Sequence, residues 1–334
     1  MIHMTQPPQR YPAEPGLIWG FDLGDGAAHP IEYCDGEGEG FRWLHLSLAH
    51  QGTTGWLDRL DALPEDVRDM LLSPDSHQHA LVDDGVVGCV LHDFERDFEQ
   101  TEAARTGAQI GALRFALMPR LMITARLHPI RSADIVRHKL ARSAGIEEPA
   151  EALELLIGTI AGGIAAVVRE LGLDVQRIED ALLDGRDPPT ARDLIGIRRR
   201  HARVHRMLDG LRAVFRRLEG DEDLPGAMIA TVEKLSQRIQ ALGADSLGVQ
   251  RQILQLREEI DIQVDQRTNQ NLYILSIMTA LLLPATFITG LFGMNTGGLP
   301  WAQSGHGTLL ATMLALGTAG ATYMFLRFMG FMRR

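Results

Sequence analysis

Thr268–Leu326 reads TNQNLYILSIMTALLLPATFITGLFGMNTGGLPWAQSGHGTLLATMLALGTAGATYMFL, 59 residues without one Asp, Glu, Lys or Arg. A bilayer core about 30 Å thick needs roughly 20 apolar residues per helical crossing. The stretch is too long for one span and suits two. Leu272–Phe292 supplies the first and Thr308–Leu326 the second. Between them Gly293, Gly297, Gly298, Pro300, Gly305 and Gly307 interrupt any helix. The expectation is a helical hairpin in a membrane, carried by a large soluble portion.

Flanking charges orient the hairpin. The loop Asn295–Gly307 holds no Lys or Arg, whereas Arg267 precedes the first span and Arg327, Arg333 and Arg334 follow the second. The positive-inside rule therefore puts both ends in the cytoplasm and the loop outside. Met1–Pro15 has no basic segment leading into an apolar run, so no signal peptide is expected. The net charge of −10 argues against a nucleic-acid partner. Cys34 and Cys89, both in strand-like surroundings, are too few for a disulfide framework and suit a reducing compartment.

From Leu17 to about Leu127 short β-rich runs (Phe41–Leu46, Val86–Leu91, Leu113–Leu117, Leu121–Thr124) mix with short helices at Thr54–Leu60 and Pro64–Leu72. After about Ser132 only helices are predicted. Ala150–Asp184 has Leu153, Leu156, Ile157, Ile160, Ile164, Val167, Val168 and Leu171 at helical spacing, stopped by Gly185, Pro188 and Pro189. Thr190–Glu219 follows, and a third helix begins near Ala227. Val249–Leu283 contains neither Gly nor Pro, so this helix runs on into the first span. From Val249 to Phe292 it would be about 65 Å long. Ile253, Leu256, Ile260 and Val264 share one face and are expected to pack in a bundle.

Alternating steps of four and three through the first span visit Leu272, Ser276, Thr279, Leu283, Thr286 and Gly290, which collects three hydroxyls on one stripe. Off the stripe only Tyr273 and Thr289 carry one. Two readings stand at this point. Small hydroxylated residues let helices pack closely, and they can also line a water-filled conduit. One chain has two spans, so a conduit requires several copies.

Pro284-Ala285-Thr286-Phe287-Ile288-Thr289-Gly290-Leu291-Phe292-Gly293-Met294-Asn295, followed by a second span and a basic C-terminus, resembles the signature of the CorA-type divalent metal ion transporter superfamily. The resemblance implies a homopentameric funnel whose first spans line the pore and whose second spans form an outer ring. Gly293, Met294 and Asn295 would then form the cation entrance, with Asn295 presenting amide oxygens. Asn269, Leu272, Ser276, Thr279, Leu283, Thr286 and Gly290 would face the pore, which favours the conduit reading of the stripe. Magnesium-transporting members usually carry a Met-Pro-Glu element after the triplet. Here Thr296-Gly297-Gly298-Leu299-Pro300-Trp301 stands instead and looks like the ZntB-type zinc transporter branch. The implied protein is an α+β membrane protein of the inner membrane. Its parts are a cytoplasmic α/β domain (1–132), a helical bundle and stalk (133–268), a pore-lining span (269–293), an external loop (294–307), a second span (308–326) and a basic cytoplasmic end (327–334). Its substrate is Zn²⁺, with Mg²⁺ or Co²⁺/Ni²⁺ as the alternative. The zinc branch implies proton-assisted flux, although no carboxylate or histidine lies within either span as a relay.

Other chemistry is thinly represented. His77 and His79, near Asp75, Asp83 and Asp84, lack the tight spacing of a closed zinc site and read as a surface turn. His306 is the one borderline ligand near the outer loop and reads as an exposed loop residue. His201 and His205 have the helical spacing of paired ligands, but the arginines among Arg198–Arg217 surround them and repel a dication. Those arginines read as a solvated face paired with acids such as Glu258, Glu259 and Asp261. Asp35–Gly40 is glycine-rich but acidic, which excludes a phosphate cradle. No cofactor and no enzymatic activity are expected. A membrane-anchored scaffold that conducts nothing is the reading from outside the transporter class.

Overall fold

A computed structural model of the chain describes residues 16–24, 27–34, 40–96, 110–142, 146–185, 189–294 and 306–331. It divides into two compact units, Met1–Arg257 and Glu258–Arg334.

The first unit is built on a seven-stranded sheet. In chain order its strands are β1 (Leu17–Gly24), β2 (Ala27–Ile31), β3 (Phe41–Ser47), β4 (His79–Asp83), β5 (Val86–Phe94), β6 (Ile110–Leu117) and β7 (Leu121–Arg126). Across the sheet the order is β2-β1-β3-β7-β6-β5-β4, antiparallel except where β3 runs parallel to β7. Helices α1 (Gln51–Leu57) and α2 (Glu65–Leu72) follow β3. They supply the crossover that the parallel pairing needs. Helices α3 (Arg131–Arg142), α4 (Pro149–Asp184), α5 (Asp193–Glu219) and the start of α6 (Gly226–Gly293) complete the unit.

Both faces of the sheet are covered. Leu44 and Leu46 join Trp56, Leu57, Val67 and Leu71 in a buried cluster, while the intervening Trp43 and His45 are equally buried on the other side. A strand buried on both faces need not alternate polar and apolar residues, which is why Phe41–Leu46 alternates only in part. β1, β2 and β4 extend the sheet beyond the runs marked in the sequence, and Cys34 sits in a bend after β2, outside any strand. The β4–β5 hairpin turns through Asp84 and Gly85, with φ of 46° and 72°. Two positive φ angles in a two-residue loop match the right-handed twist of the flanking strands.

The helices follow the sequence with shifted ends. α1 begins and ends three residues before the predicted Thr54–Leu60. α5 starts at Asp193 because the Asp193 carboxylate accepts from the Thr190 N–H and hydroxyl, holding Thr190–Arg192 as a turn. Pro149 opens α4 behind a Glu148–Glu151 capping box, and Gly185 closes it at φ 66°. α4 is long and apolar enough to cross a membrane by composition, but half of its apolar window is already buried in the protein, against none in the window of α6. Ile253, Leu256 and Ile260 are buried as expected; Val264 is not, at 55 % exposure.

A buried polar network holds the centre of the sheet. The Trp19 ring stacks on His45, centroids 4.9 Å apart. Arg126 Nε lies 3.0 Å from His45 Nε2, so that nitrogen accepts and His45 Nδ1 donates to Thr124 Oγ1 at 2.9 Å. Thr124 also accepts from Trp43 Nε1 and donates to the Leu44 carbonyl. Burial, aided by the Arg126 charge, lowers the His45 pKa to about 3. An unfolded histidine titrates near 6.5, so below that pH the unfolded chain binds a proton that the native state refuses. His45 therefore withdraws stability as pH falls from about 6.5 toward 3, with a slope of at most about 1.4 kcal/mol per pH unit. A His45→Gln variant is expected to lose stability less steeply across that window in pH-dependent unfolding of the detergent-solubilised protein. Parallel curves for parent and variant would refute the assignment.

Candidate functional site: the exposed face of the apolar helices

In the second unit the last part of α6 and α7 (Gly307–Phe328) are both long and apolar enough to cross a membrane. α6 continues as one helix through Pro284 to Gly293. Pro284 has no N–H to offer the carbonyl four residues back, at Ala280, and such a gap is tolerated in a span where neighbours or water satisfy it.

Every residue of the sequence-derived stripe, Asn269, Leu272, Ser276, Thr279, Leu283, Thr286 and Gly290, is exposed. The opposite side of α6 differs: Ile277, Leu281, Pro284, Ile288 and Leu291 are partly covered. On α7 the partly or fully covered positions are the small residues Gly307, Ala311, Ala315, Thr318, Ala319 and Thr322, together with Leu326. This small-residue row was not singled out from the sequence, although its steps of three and four are the spacing that lets membrane helices approach closely.

The stripe's hydroxyls are polarised. Thr279 Oγ1 donates to the Leu275 carbonyl and Thr286 Oγ1 to the Leu282 carbonyl, each at 2.8 Å. A hydroxyl that gives its proton to its own helix keeps its lone pairs for the outside. The stripe therefore offers acceptors, the half of a water dipole that faces away from a cation being hydrogen. Such acceptors are chemically complementary to the outward-facing hydrogens of a hydrated cation. Thr289, off the stripe, donates to the Thr286 carbonyl at 3.0 Å.

Gly293 ends α6, and a Cβ there or at Gly290 would meet nothing within 4 Å in one chain. Met294 is exposed, with its N–H on the Gly290 carbonyl at 3.2 Å. Asn295 lies outside the described residues, as does the rest of the loop through Gly305. His306 is exposed at the N-cap of α7 and makes no side-chain cap bond.

The soluble histidines have other engagements. His77 Nδ1 lies 2.5 Å from Asp75 Oδ1, and the His77 backbone and ring hold the Asp75 carboxyl below its usual range. His79 Nδ1 donates to the His77 carbonyl. His201 is buried, with Nε2 2.9 Å from the Ser246 carbonyl, and His205 stacks on it at 5.8 Å with Nε2 3.4 Å from Asp209. Among the described residues no three His, Cys, Asp or Glu side chains gather as a metal cage. The arginines of α5 find acids on α4 and close by in the chain: Arg200 pairs with Glu170 and Asp174 at 2.9 Å, and Arg217 with Asp221 at 3.5 Å.

Comparison with known proteins agrees with this architecture. The family model described as CorA-like Mg2+ transporter protein matches residues 38–329. The divalent cation transporter CmaX of Pseudomonas aeruginosa is 26 % identical over 322 residues, covering 92 % of this chain and 94 % of the relative. The zinc transport protein ZntB of Pectobacterium carotovorum is 24 % identical over 289 residues, covering 85 % and 86 %. The solved full-length CmaX structure has a TM-score of 0.74 at 23 % identity, covering 94 % of this chain and 98 % of that one. The CorA magnesium transporter of Methanocaldococcus jannaschii gives 0.74 at 16 % identity, covering 92 % and 96 %. These two likenesses show the fold, an N-terminal α/β domain with a long helix. The chain belongs to the CorA-like Mg2+ transporter family and is a divalent cation transporter of that family, whose members are transporters and not enzymes.

If the stripe is wet, single cysteines at Thr279, Leu283 or Thr286, introduced after Cys34 and Cys89 are replaced, react with small water-soluble thiol reagents. Cysteines at Leu281 or Ile288 on the partly covered side stay unreactive. Equal labelling of both sides would reduce the stripe to a packing seam.

Proposed function

We propose that the protein acts as a homopentamer of the inner membrane that carries Zn²⁺ through a conduit lined by the α6 stripe, with both chain ends in the cytoplasm. The observation that carries this reading is the exposed hydroxyl stripe on the side of α6 opposite its partly covered face. Covered small residues on α7 support a hairpin in which α7 backs α6 and leaves the stripe to other copies. Five copies would turn the stripe inward, and Asn295 would ring the outer mouth with amide oxygens. Filters built from protein oxygens act in this way, by replacing or orienting an ion's water.

Zinc is favoured by Gly297-Gly298-Leu299-Pro300, a loop without a fixed negative charge, and by the ZntB relatives. Mg²⁺ dehydrates reluctantly and gains from carboxylates that concentrate it at an entrance. The second reading, Mg²⁺, is favoured by the description of the family and by the fold shared with an archaeal magnesium transporter. Membership in a transporter family sets the non-conducting scaffold aside.

The test is ion-indicator fluorescence in proteoliposomes at matched free concentrations. Zn²⁺ flux is expected to exceed Mg²⁺ flux; robust Mg²⁺ flux with none for Zn²⁺ would hand the assignment to magnesium. Asn295→Ala is expected to reduce the flux to background while the oligomer stays assembled. Parent-like flux in that variant would remove Asn295 from the entrance.

A further inference from the structure

After Asp265 the chain has no carboxylate side chain. The rest of it carries Arg267, Arg327, Arg333 and Arg334, in a protein whose net charge is −10. Three of these arginines follow the second span, at an end that is also rich in rings. Tyr323, Phe325, Phe328 and Phe331 are four aromatics in nine residues, in a chain that is 6 % aromatic. The corresponding end of the first span is different. Thr268-Asn269-Gln270-Asn271 is polar, and Tyr273 is the one ring close to it.

α7 closes on a glycine. Gly330, at φ 81°, gives its N–H to the Arg327 carbonyl at 3.2 Å, and Phe331 gives its N–H to the Leu326 carbonyl at 3.1 Å. This pair of bonds turns the chain off the helix axis. Phe331 leaves the axis with the turn and is 55 % exposed. Phe328 is 92 % exposed, more than any other large apolar side chain among the described residues. At about 100° per residue, Met313, Met324, Arg327 and Phe328 lie on the side of α7 opposite the covered Ala311, Ala315, Thr318 and Thr322. Arg327 has no ion pair among the described residues. Up to Leu326 hydrocarbon accounts for exposed apolar side chains. Beyond it a guanidinium intervenes, and Phe328, Met329 and Phe331 stand on its far side.

We propose that this end of α7 is a docking surface for anionic phospholipid of the cytoplasmic leaflet. Arg327 takes the phosphate, and Phe328 and Phe331 sit at the boundary of headgroup and acyl chain. This rests on the reading above that puts both chain ends in the cytoplasm. A guanidinium offers a planar fork of donors that matches a phosphate. Phenyl rings beside cations bury at the headgroup boundary, as they do on membrane-surface helices. Arg333 and Arg334, next in the sequence, add cationic charge to the same end, and basic side chains beside a span are drawn to anionic lipid. The competing occupant is a carboxylate of a neighbouring copy, such as Asp265. The rings decide between the two. A carboxylate neutralises Arg327 but leaves Phe328 and Phe331 in water, whereas a lipid covers all three. Bound there, the lipid fixes the depth at which α7 ends.

The test uses the full-length protein in phosphatidylcholine vesicles, with spin-labelled phosphatidylglycerol or spin-labelled phosphatidylcholine as the probe. The motionally restricted fraction of each probe reports its association with the protein. The parent is expected to prefer phosphatidylglycerol severalfold. Arg327→Gln is expected to lose at least half of that preference, and Arg327→Lys to keep most of it. A variant with both Phe328→Ser and Phe331→Ser is expected to fall as far as Arg327→Gln. A parent without preference, or a preference unchanged in Arg327→Gln or in the ring variant, would overturn the surface. Inorganic phosphate, against chloride at matched ionic strength, is expected to leave the preference in place. Competition would make this a site for a free anion and overturn the lipid. Association needs no transport, so missing Zn²⁺ flux with the preference intact fails the pore reading alone. Zn²⁺ flux without the preference fails this inference alone. Labelling of Phe331→Cys by an impermeant thiol reagent from the outer side, in a background lacking Cys34 and Cys89, would overturn the cytoplasmic leaflet.

Discussion

Hydrocarbon offers no hydrogen bonds, so each backbone N–H and C=O placed in it must find its partner inside the protein. That constraint shapes α7 and the part of α6 that follows Arg267. It requires helix wherever the chain is apolar, and it makes α6 continue through Pro284 without breaking. It also explains why Thr279, Thr286, Thr312 and Thr322 turn their hydroxyl protons back onto carbonyls of their own helices. A hydroxyl that has spent its proton this way is an acceptor to whatever lies outside. A stripe of such groups is thus at once a solution to the membrane's demand and a surface suited to a hydrated cation.

An unbroken helix has a second consequence. Side-chain direction is set by residue number alone, so a pattern read in the span stays in phase beyond it. Asn269, Asp265, Ile262 and Glu258 share a line with Ser276 and Thr279 because no glycine or proline between Glu258 and Leu283 resets the phase. A kink or loop at the membrane border would have uncoupled the two segments.

The soluble unit solves the opposite problem. Its sheet is buried on both faces, so polar groups at its centre must satisfy one another. His45, Thr124, Trp43 and Arg126 do so in a closed set, and the cost appears as an imidazole that resists protonation until about pH 3. Asp93 works similarly: its buried carboxylate accepts from the Ser132 N–H and caps α3, while burial raises its pKa. α4 makes the comparison with α6 direct. Both hold a window apolar enough for a membrane, but half of the α4 window finds its partners within the protein and none of the α6 window does.

The sequence by itself determined the elements whose signal is local. Charge exclusion over Thr268–Leu326 marked the apolar helices; Gly185 and the prolines after it ended α4; the run Pro284–Asn295, with a second span and a basic end behind it, pointed to the family. These readings need only composition, spacing and backbone chemistry. Tertiary structure decided what depends on partners distant in the chain. The parallel join of β3 to β7 crosses more than seventy residues, so no window of sequence contains it. Arg200 meets Glu170 and Asp174 across a helix pair, and not the stalk acids that its charge alone would have suited. Val264 shares a helical face with Ile260 but is exposed, because periodicity gives a side chain's direction and only the neighbouring elements determine whether anything lies there to cover it.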